Sequence, residues 1–317
     1  MNQVNKTSQN REIPDVPPDT HVNEGVITPP TDRELQQICE IINTNLGFNY
    51  NAQKRYLIES RLNKRLTQLG ITNYGDYLSL LKEEPLEERI LYEYLTTNVT
   101  SFFREPAQFE YLTSTLLPKI TAAKKEKKIR CWSAGCSSGE EAYSLAIILT
   151  EALGAAWDIK VLATDINGEM LQVGMAGEYT EEAVSNIPLK WRDKYFIPQI
   201  VAENKRYRVV PALRQKVIFR LMNLLSTQDL PPHIRVDLIF CRNVFIYLNT
   251  EARRKVLNHF HRRLRNGGYL FLGHSETINV PTKADPVNVG AVVTDSNPWL
   301  YQGKSIYRKG IDENKVE

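Results

Sequence analysis

From residue 129 onward, short apolar runs alternate with amphipathic stretches, and this pattern restricts the fold more than anything else in the chain. Residues 129–133 (IRCWS) read as a strand and 139–153 as a helix with Ala142, Leu145, Ala146 and Leu149 on one face. Residues 159–163 (IKVLA) read as a second strand and 237–241 (DLIFC) as a later one. A helix over 251–264 then precedes Gly267, Gly268 and a strand over 269–272. Strands separated by helices pair in parallel, with the crossover helices packed on the sheet, so the predicted class is α/β. Within residues 178–221, the runs 207–210 (YRVV) and 217–220 (VIFR) flank Pro211. They read as a small antiparallel insert, spanning about 178–221, on one edge of that domain.

A chain of 317 residues exceeds the ~250–300 residues at which single cores stop growing, so a second domain is expected. Residues 31–95 supply it as an all-helical unit. Thr31 or Asp32 caps a first helix in which Leu35, Ile38, Ile41 and Ile42 share a face. A second helix covers about 52–69, where Ile58, Leu62, Leu66 and Leu69 repeat and Gly70 supplies the stop. Two more fill 74–95, broken near Pro85. Arg61, Lys64 and Arg65 lie on an arc beside the second helix's apolar stripe and read either as a solvated face or as a docking face for an acidic partner. Residues 1–30 hold five of the sixteen prolines and no aromatic residue, the composition of a disordered tail. The α/β domain occupies 96–317, its linker 96–105 contributing to the site.

Composition excludes several classes. Forty Lys+Arg against thirty-seven Asp+Glu leave a formal charge of +3, no general case for a nucleic-acid binder. Four cysteines in so long a chain are no disulfide scaffold, and without C-x-x-C or histidine ligand spacing no metal site is expected. Cys131 and Cys136 read as small buried hydrophobes. No run of apolar residues approaches the ~18 needed to span a bilayer, and the N-terminus has no apolar signal region. A cytoplasmic protein without membrane insertion is expected.

The chemistry concentrates in 133–144 (SAGCSSGEEAYS), between an apolar strand and an amphipathic helix. Glycines there let the backbone approach a ligand, and the helix start offers free N–H groups. The pattern is Gly135-x-x-x-Gly139, neither a dinucleotide fingerprint nor a Walker-type loop, which argues against a nicotinamide oxidoreductase. Glu140 and Glu141 would repel a pyrophosphate and suit a cationic ligand. Asp165 ends the next strand, where an acid accepts hydrogen bonds from a ribose diol or caps the following helix. Together they describe a nucleoside with a cationic tail, as in S-adenosylmethionine.

The segments TTNVTSFFRE (96–105), WSAGCSSGEEAYS (132–144), ATDI (163–166), NLL (223–225), FCRNVFIY (240–247) and NGGYLFLGHSE (266–276) stand in an order that resembles the chemotaxis receptor protein-glutamate O-methyltransferases, over about 31–309. The resemblance implies a Rossmann-like class I methyltransferase domain with a small antiparallel β insert, preceded by a small all-α domain. It implies S-adenosyl-L-methionine as cofactor, S-adenosyl-L-homocysteine as product, and the cytoplasmic domain of methyl-accepting chemotaxis receptors as partner, acted on by a monomer. Cofactor contacts would fall on Asn98, Thr100, Arg104, Glu141, Asp165, Asn223, Leu224, Arg242 and Asn243, with Glu141 favoured over Glu140 for the amino-acid head group. Arg104 would orient the acceptor carboxylate, unless it is tied up in an ion pair with Glu105 or Glu110. Tyr247 would lie beside the transfer site.

A glutamate carboxylate is ionised near neutral pH, so its methylation needs no general base, in keeping with the lack of a His- or Cys-centred constellation. His259 and His261, in a basic helix, read as surface residues, and His274 as a hydrogen-bonded structural one. Competing readings are a non-catalytic adenosylmethionine-binding scaffold and an RNA or small-molecule methyltransferase. The RNA version draws only on the locally basic insert (Arg206, Arg208, Arg214, Lys216, Arg220).

Overall fold

The computed structural model describes residues 26–226, 229–278 and 299–310. Most of the segment read as a tail, residues 1–25, lies outside them. Four helices come first: α1 (Asp32–Leu46), α2 (Arg55–Leu69), α3 (Tyr74–Glu83) and α4 (Pro85–Leu95). Thr31 is the cap of α1, in a capping box with Glu34, and Gly70 closes α2 in a left-handed conformation. Leu35, Ile38 and Ile42 of α1 meet Ile58, Leu62 and Leu66 of α2 in one buried cluster.

The basic arc of α2 is largely spoken for. Arg61 donates to the carbonyls of Leu95 (2.9 Å) and Thr96 (2.8 Å) and to the Thr97 hydroxyl, tying α2 to the linker. Arg65 grips Glu87 of α4 through two nitrogens, at 2.9 and 2.6 Å, and the Tyr77 hydroxyl donates to the same carboxylate. Of the three, Lys64 alone is exposed. Glu87 is 5% exposed, so Arg65→Ala strands a buried charge and is expected to destabilise the protein by roughly 3 kcal/mol. A urea titration reads this as a lowered midpoint, and an unchanged midpoint would refute it.

After the linker come α5 (Pro106–Tyr111), a π-helical turn (Leu112–Leu116) and α6 (Leu117–Ala122). The rest runs β1 (Lys128–Ala134), α7 (Glu140–Leu153), β2 (Asp158–Asp165), α8 (Gly168–Ala176), β3 (Glu178–Thr180), α9 (Leu189–Tyr195), β4 (Phe196–Val201), β5 (Asn204–Val209), α10 (Pro211–Arg214), β6 (Val217–Leu221), β7 (Val236–Cys241), α11 (Thr250–Arg263), β8 (Leu264–Leu272), β9 (Trp299–Gly303) and β10 (Ile306–Lys309). Seven strands form one sheet in the order β6-β2-β1-β7-β8-β10-β9. The first five are parallel, and β10 joins β8 antiparallel, carrying β9 on its outer edge. This is the Rossmann-like class I methyltransferase arrangement. Chain order reverses between β1 and β7, so a crevice opens beyond their carboxyl ends, where ligands bind in open α/β sheets.

Two expectations are corrected. The antiparallel insert is the sheet β3-β5-β4, and the run at 217–220 does not belong to it. As β6 it pairs in parallel with β2, from Val161↔Val217 to Asp165↔Leu221. Its proximity in sequence to 207–210 suggested a hairpin, but α10 turns the chain back to the main sheet.

His259 and His261 are buried, not on the surface. His259 packs edge-on against Trp132 (5.6 Å) and accepts a hydrogen bond from Arg263 (3.1 Å). Burial, with Arg263 adding, lowers its pKa to about 4, so the ring is neutral. His261 packs against Trp299.

The helical domain is seated on the sheet domain by polar bonds as well as apolar contact. The Asn223 side chain donates to the Asn45 carbonyl (2.7 Å), Asn249 N–H to the Gly47 carbonyl (2.7 Å), and Asn49 N–H to the Tyr247 carbonyl (3.1 Å). Gly168 N–H, at the start of α8, donates to Glu93 of α4 (2.7 Å). One buried cluster runs from Leu35 and Ile38 through Phe48 to Trp132 and Phe245.

Candidate active site

The crevice is a cleft walled by both domains and lined by apolar side chains with a few charged and polar groups, the make-up of a small-molecule site. All ten residues singled out from the sequence border it. They come from the linker, the start of α7, the end of β2, and the turns after β6 and β7.

The turn after β1 is shaped by close approach. Gly135 has φ +82°, and a Cβ there would stand 2.5 Å from Val244 Cγ2. Gly135 and Cys136 both donate to the Thr164 carbonyl, at 2.8 and 2.9 Å, which lays the turn across the end of β2. Ser137, with φ +49°, donates its N–H to Asp165 Oδ2 (2.7 Å) and its hydroxyl to the Asn98 carbonyl (2.9 Å). Asn167 N–H donates to Asp165 Oδ1 (2.9 Å). Asp165 is not a helix cap, because Asn167 caps α8 through Met170 N–H. Burial raises the Asp165 pKa against the pull of these backbone N–H groups.

Helix phase separates the two glutamates. Glu141 borders the cleft, whereas Glu140 turns back to accept from the Ser138 hydroxyl (2.7 Å). Glu141 accepts from the Ser133 hydroxyl (2.6 Å) and lies 3.4 Å from the Arg242 guanidinium. Burial lifts its pKa, with Arg242 and Ser133 pulling the other way.

Arg242 is 6% exposed and engaged through both terminal nitrogens, while its buried Nε has no hydrogen-bond partner among the described residues. It pairs with Glu141, pairs with Glu105 at 3.2 Å, donates to the Arg104 carbonyl, and stacks over the Phe109 ring at 5.6 Å. It therefore ties Glu141 to the linker through its terminal nitrogens.

That leaves Arg104 available. Among the described residues it has no carboxylate within ion-pair distance, neither Glu105 nor Glu110, and its guanidinium donates only to the Val99 carbonyl (3.0 Å). Its neighbours Phe103 (φ +52°) and Glu105 (φ +59°) are both left-handed. Of the eight non-glycine residues with positive φ among those described, four (Phe103, Glu105, Ser137, Asn243) lie at or beside this cleft. Strain of that kind concentrates where a structure must hold groups for a ligand.

Tyr247 lies on the 3-10 turn Phe245–Tyr247, its ring 5.9 Å from Phe48. Asn223 accepts from Leu225 N–H while its amide reaches Asn45, and Leu224 adds an apolar wall with Ile166 and Met222. Sequence reasoning missed Leu46 and Phe48, which bring the helical domain into the cleft wall, and the hydroxyls of Ser133 and Ser137. The two serines lie within the segment already marked as chemical; the apolar pair carries no local signal of the cavity it faces.

Among the described residues no group of three or more His, Cys, Asp or Glu side chains is arranged to hold a metal ion, and no helix is long and apolar enough to cross a membrane. The donor set fits a cationic nucleoside. Two carboxylates border the cleft together with apolar side chains, and the Asp165 oxygens accept from the Ser137 and Asn167 N–H groups with lone-pair capacity to spare for ligand hydroxyls.

Residues 98–292 match the CheR methyltransferase SAM binding domain, and residues 33–96 match the CheR methyltransferase all-alpha domain. The chain is 36% identical over 256 residues to a chemotaxis protein methyltransferase of Borreliella burgdorferi, covering 78% of this chain and 89% of that protein. It is 37% identical over 253 residues to chemotaxis protein methyltransferase 1 of Pseudomonas aeruginosa, covering 77% and 88%. The Escherichia coli chemotaxis protein methyltransferase is 35% identical over 254 residues, covering 78% and 86%. With both domains matched in order and relatives aligned over most of their length, the chain belongs to the CheR methyltransferase family.

Proposed function

We propose that this protein methylates glutamate side chains on the cytoplasmic domain of chemotaxis receptors, working as a cytoplasmic monomer with S-adenosylmethionine as methyl donor. The observation that carries this reading is the meeting, in one switch-point cleft, of two carboxylates with an arginine fork that no carboxylate among the described residues occupies. S-adenosylmethionine supplies, when bound, a sulfonium methyl open to in-line displacement by an acceptor oxygen.

Asp165 would accept from the ribose hydroxyls and Glu141 from the ammonium of the amino-acid head group. Asn98, Thr100 and Asn243 would add hydrogen bonds, and Asn223 with Leu224 would border the adenine. Arg242 holds Glu141 and the linker in register. Arg104 would bind one oxygen of the acceptor carboxylate and leave the other to attack, a use its planar fork suits. No side chain has to take a proton, since the acceptor is already ionised. The barrier falls through alignment and exclusion of water, to which Phe48, Leu46 and the Tyr247 ring contribute apolar cover.

The test is incubation of the protein with radiolabelled S-adenosylmethionine and receptor cytoplasmic fragments. Base-labile methyl esters on receptor glutamates are expected; cofactor binding without ester formation would leave a scaffold, and ribonuclease-sensitive label would transfer the reading to RNA.

A further inference from the structure

Glu276 lies just after β8, in the segment GHSE, and is 4% exposed. It does not border the cleft, and the chemistry above does not use it. Its Oε2 accepts from the N–H groups of Asn243 (2.8 Å) and Gly273 (2.6 Å), and its Oε1 accepts from Ile246 N–H (3.1 Å). A carboxylate buried this deeply is tolerated only when its acceptor sites are filled, and here backbone N–H groups fill them.

Two of those N–H groups belong to the turn that follows β7, which carries Arg242, Asn243 and Tyr247. Asn243 is left-handed there, with φ +60°. Ile246 begins the step into Tyr247. One carboxylate thus pins the turn at both ends. Gly273 makes the approach possible, since a Cβ at that position would stand 2.7 Å from Glu276 Oε2 and 2.9 Å from both the backbone N and the Nδ2 of Asn243.

We propose that Glu276 is a positioning residue for methyl transfer: its carboxylate holds the turn 242–247 in the conformation that directs Asn243 and Tyr247 into the cleft. The inference rests on the functional reading above and adds to it a residue that touches neither donor nor acceptor. Its chemistry explains why a carboxylate is required. Glutamine has the same size, but one oxygen becomes an NH2 donor. Whichever way the amide turns, at least one backbone N–H then faces a donor and loses its acceptor.

The full chain carrying Glu276→Gln should weaken S-adenosylmethionine binding by about tenfold, read by calorimetry, as an unsatisfied buried donor displaces Asn243. At saturating donor it should also lower kcat by about tenfold, because Tyr247 moves with the same turn. A purely structural role would instead lower the thermal midpoint and leave Kd and kcat of the folded protein at wild-type values, which would overturn the proposal. Gly273→Ala, which drives a Cβ against both Glu276 and Asn243, should give the same paired loss, and it decides the question if Glu276→Gln does not fold. Wild-type protein that binds no S-adenosylmethionine would overturn the functional reading itself, and this inference with it.

Discussion

Replacing Arg104 by alanine is expected to lower kcat by roughly 100-fold or more at saturating S-adenosylmethionine, the scale on which a preorganised donor at a reacting centre acts. The fold should survive. The guanidinium makes one hydrogen bond, to the Val99 carbonyl, and no ion pair among the described residues, so its removal strands no buried charge. Binding of the donor should change less than turnover, since the fork is assigned to the acceptor. Arg104→Lys keeps the charge and loses the planar fork, and should recover only part of the rate. The check is steady-state methylation of receptor fragments alongside a thermal melt. Wild-type turnover by Arg104→Ala would remove this residue from the reaction.

Asp165→Ala should raise the Kd for S-adenosylmethionine by about 10- to 100-fold, corresponding to the loss of ~1.5–3 kcal/mol of charged hydrogen bonding. Part of that loss comes from the frame, because Asp165 also holds Ser137 N–H and Asn167 N–H. Asp165→Asn, which keeps one acceptor oxygen, separates the two contributions. An unchanged calorimetric affinity in both variants would exclude Asp165 from the ribose site. The carboxylate must be ionised to accept from the ligand, and burial raises its pKa. Wild-type affinity should therefore fall on acidification through that raised value, above the range of an exposed aspartate.

Much of the cleft was legible because its parts lie in short segments whose local structure is self-declaring. A strand, a glycine turn and an acidic helix start place Glu141; the end of the next strand places Asp165. The α/β class followed from the same alternation. The errors have a different origin. Residues 217–220 lie near 207–210 in sequence and read with them as one insert, and only the pairing with β2 assigns them to the main sheet.

His259 and His261 lie on a helix whose polar residues predominate, and which face is buried depends on Trp132 and Trp299 opposite. Arg242 borders the cleft as expected, but its ties to Glu105 and to the Arg104 carbonyl, more than 130 positions away, have no local signal. The strands β9 and β10 pair with each other and join the sheet only through β10 against β8, and nothing local announces that edge.

The seating of α1 against the crevice has a consequence for how the molecule loosens. The Asn45 and Gly47 carbonyls accept hydrogen bonds from the segments that carry Asn223 and Asn249, and Leu46 and Phe48 form part of the ligand wall. Opening α1 therefore dismantles the cleft, and filling the cleft raises the free energy of opening α1. The backbone amides of the first helix, which carries no polar or charged side chain assigned to the chemistry, become reporters of cofactor occupancy, their hydrogen exchange slowing as the site fills.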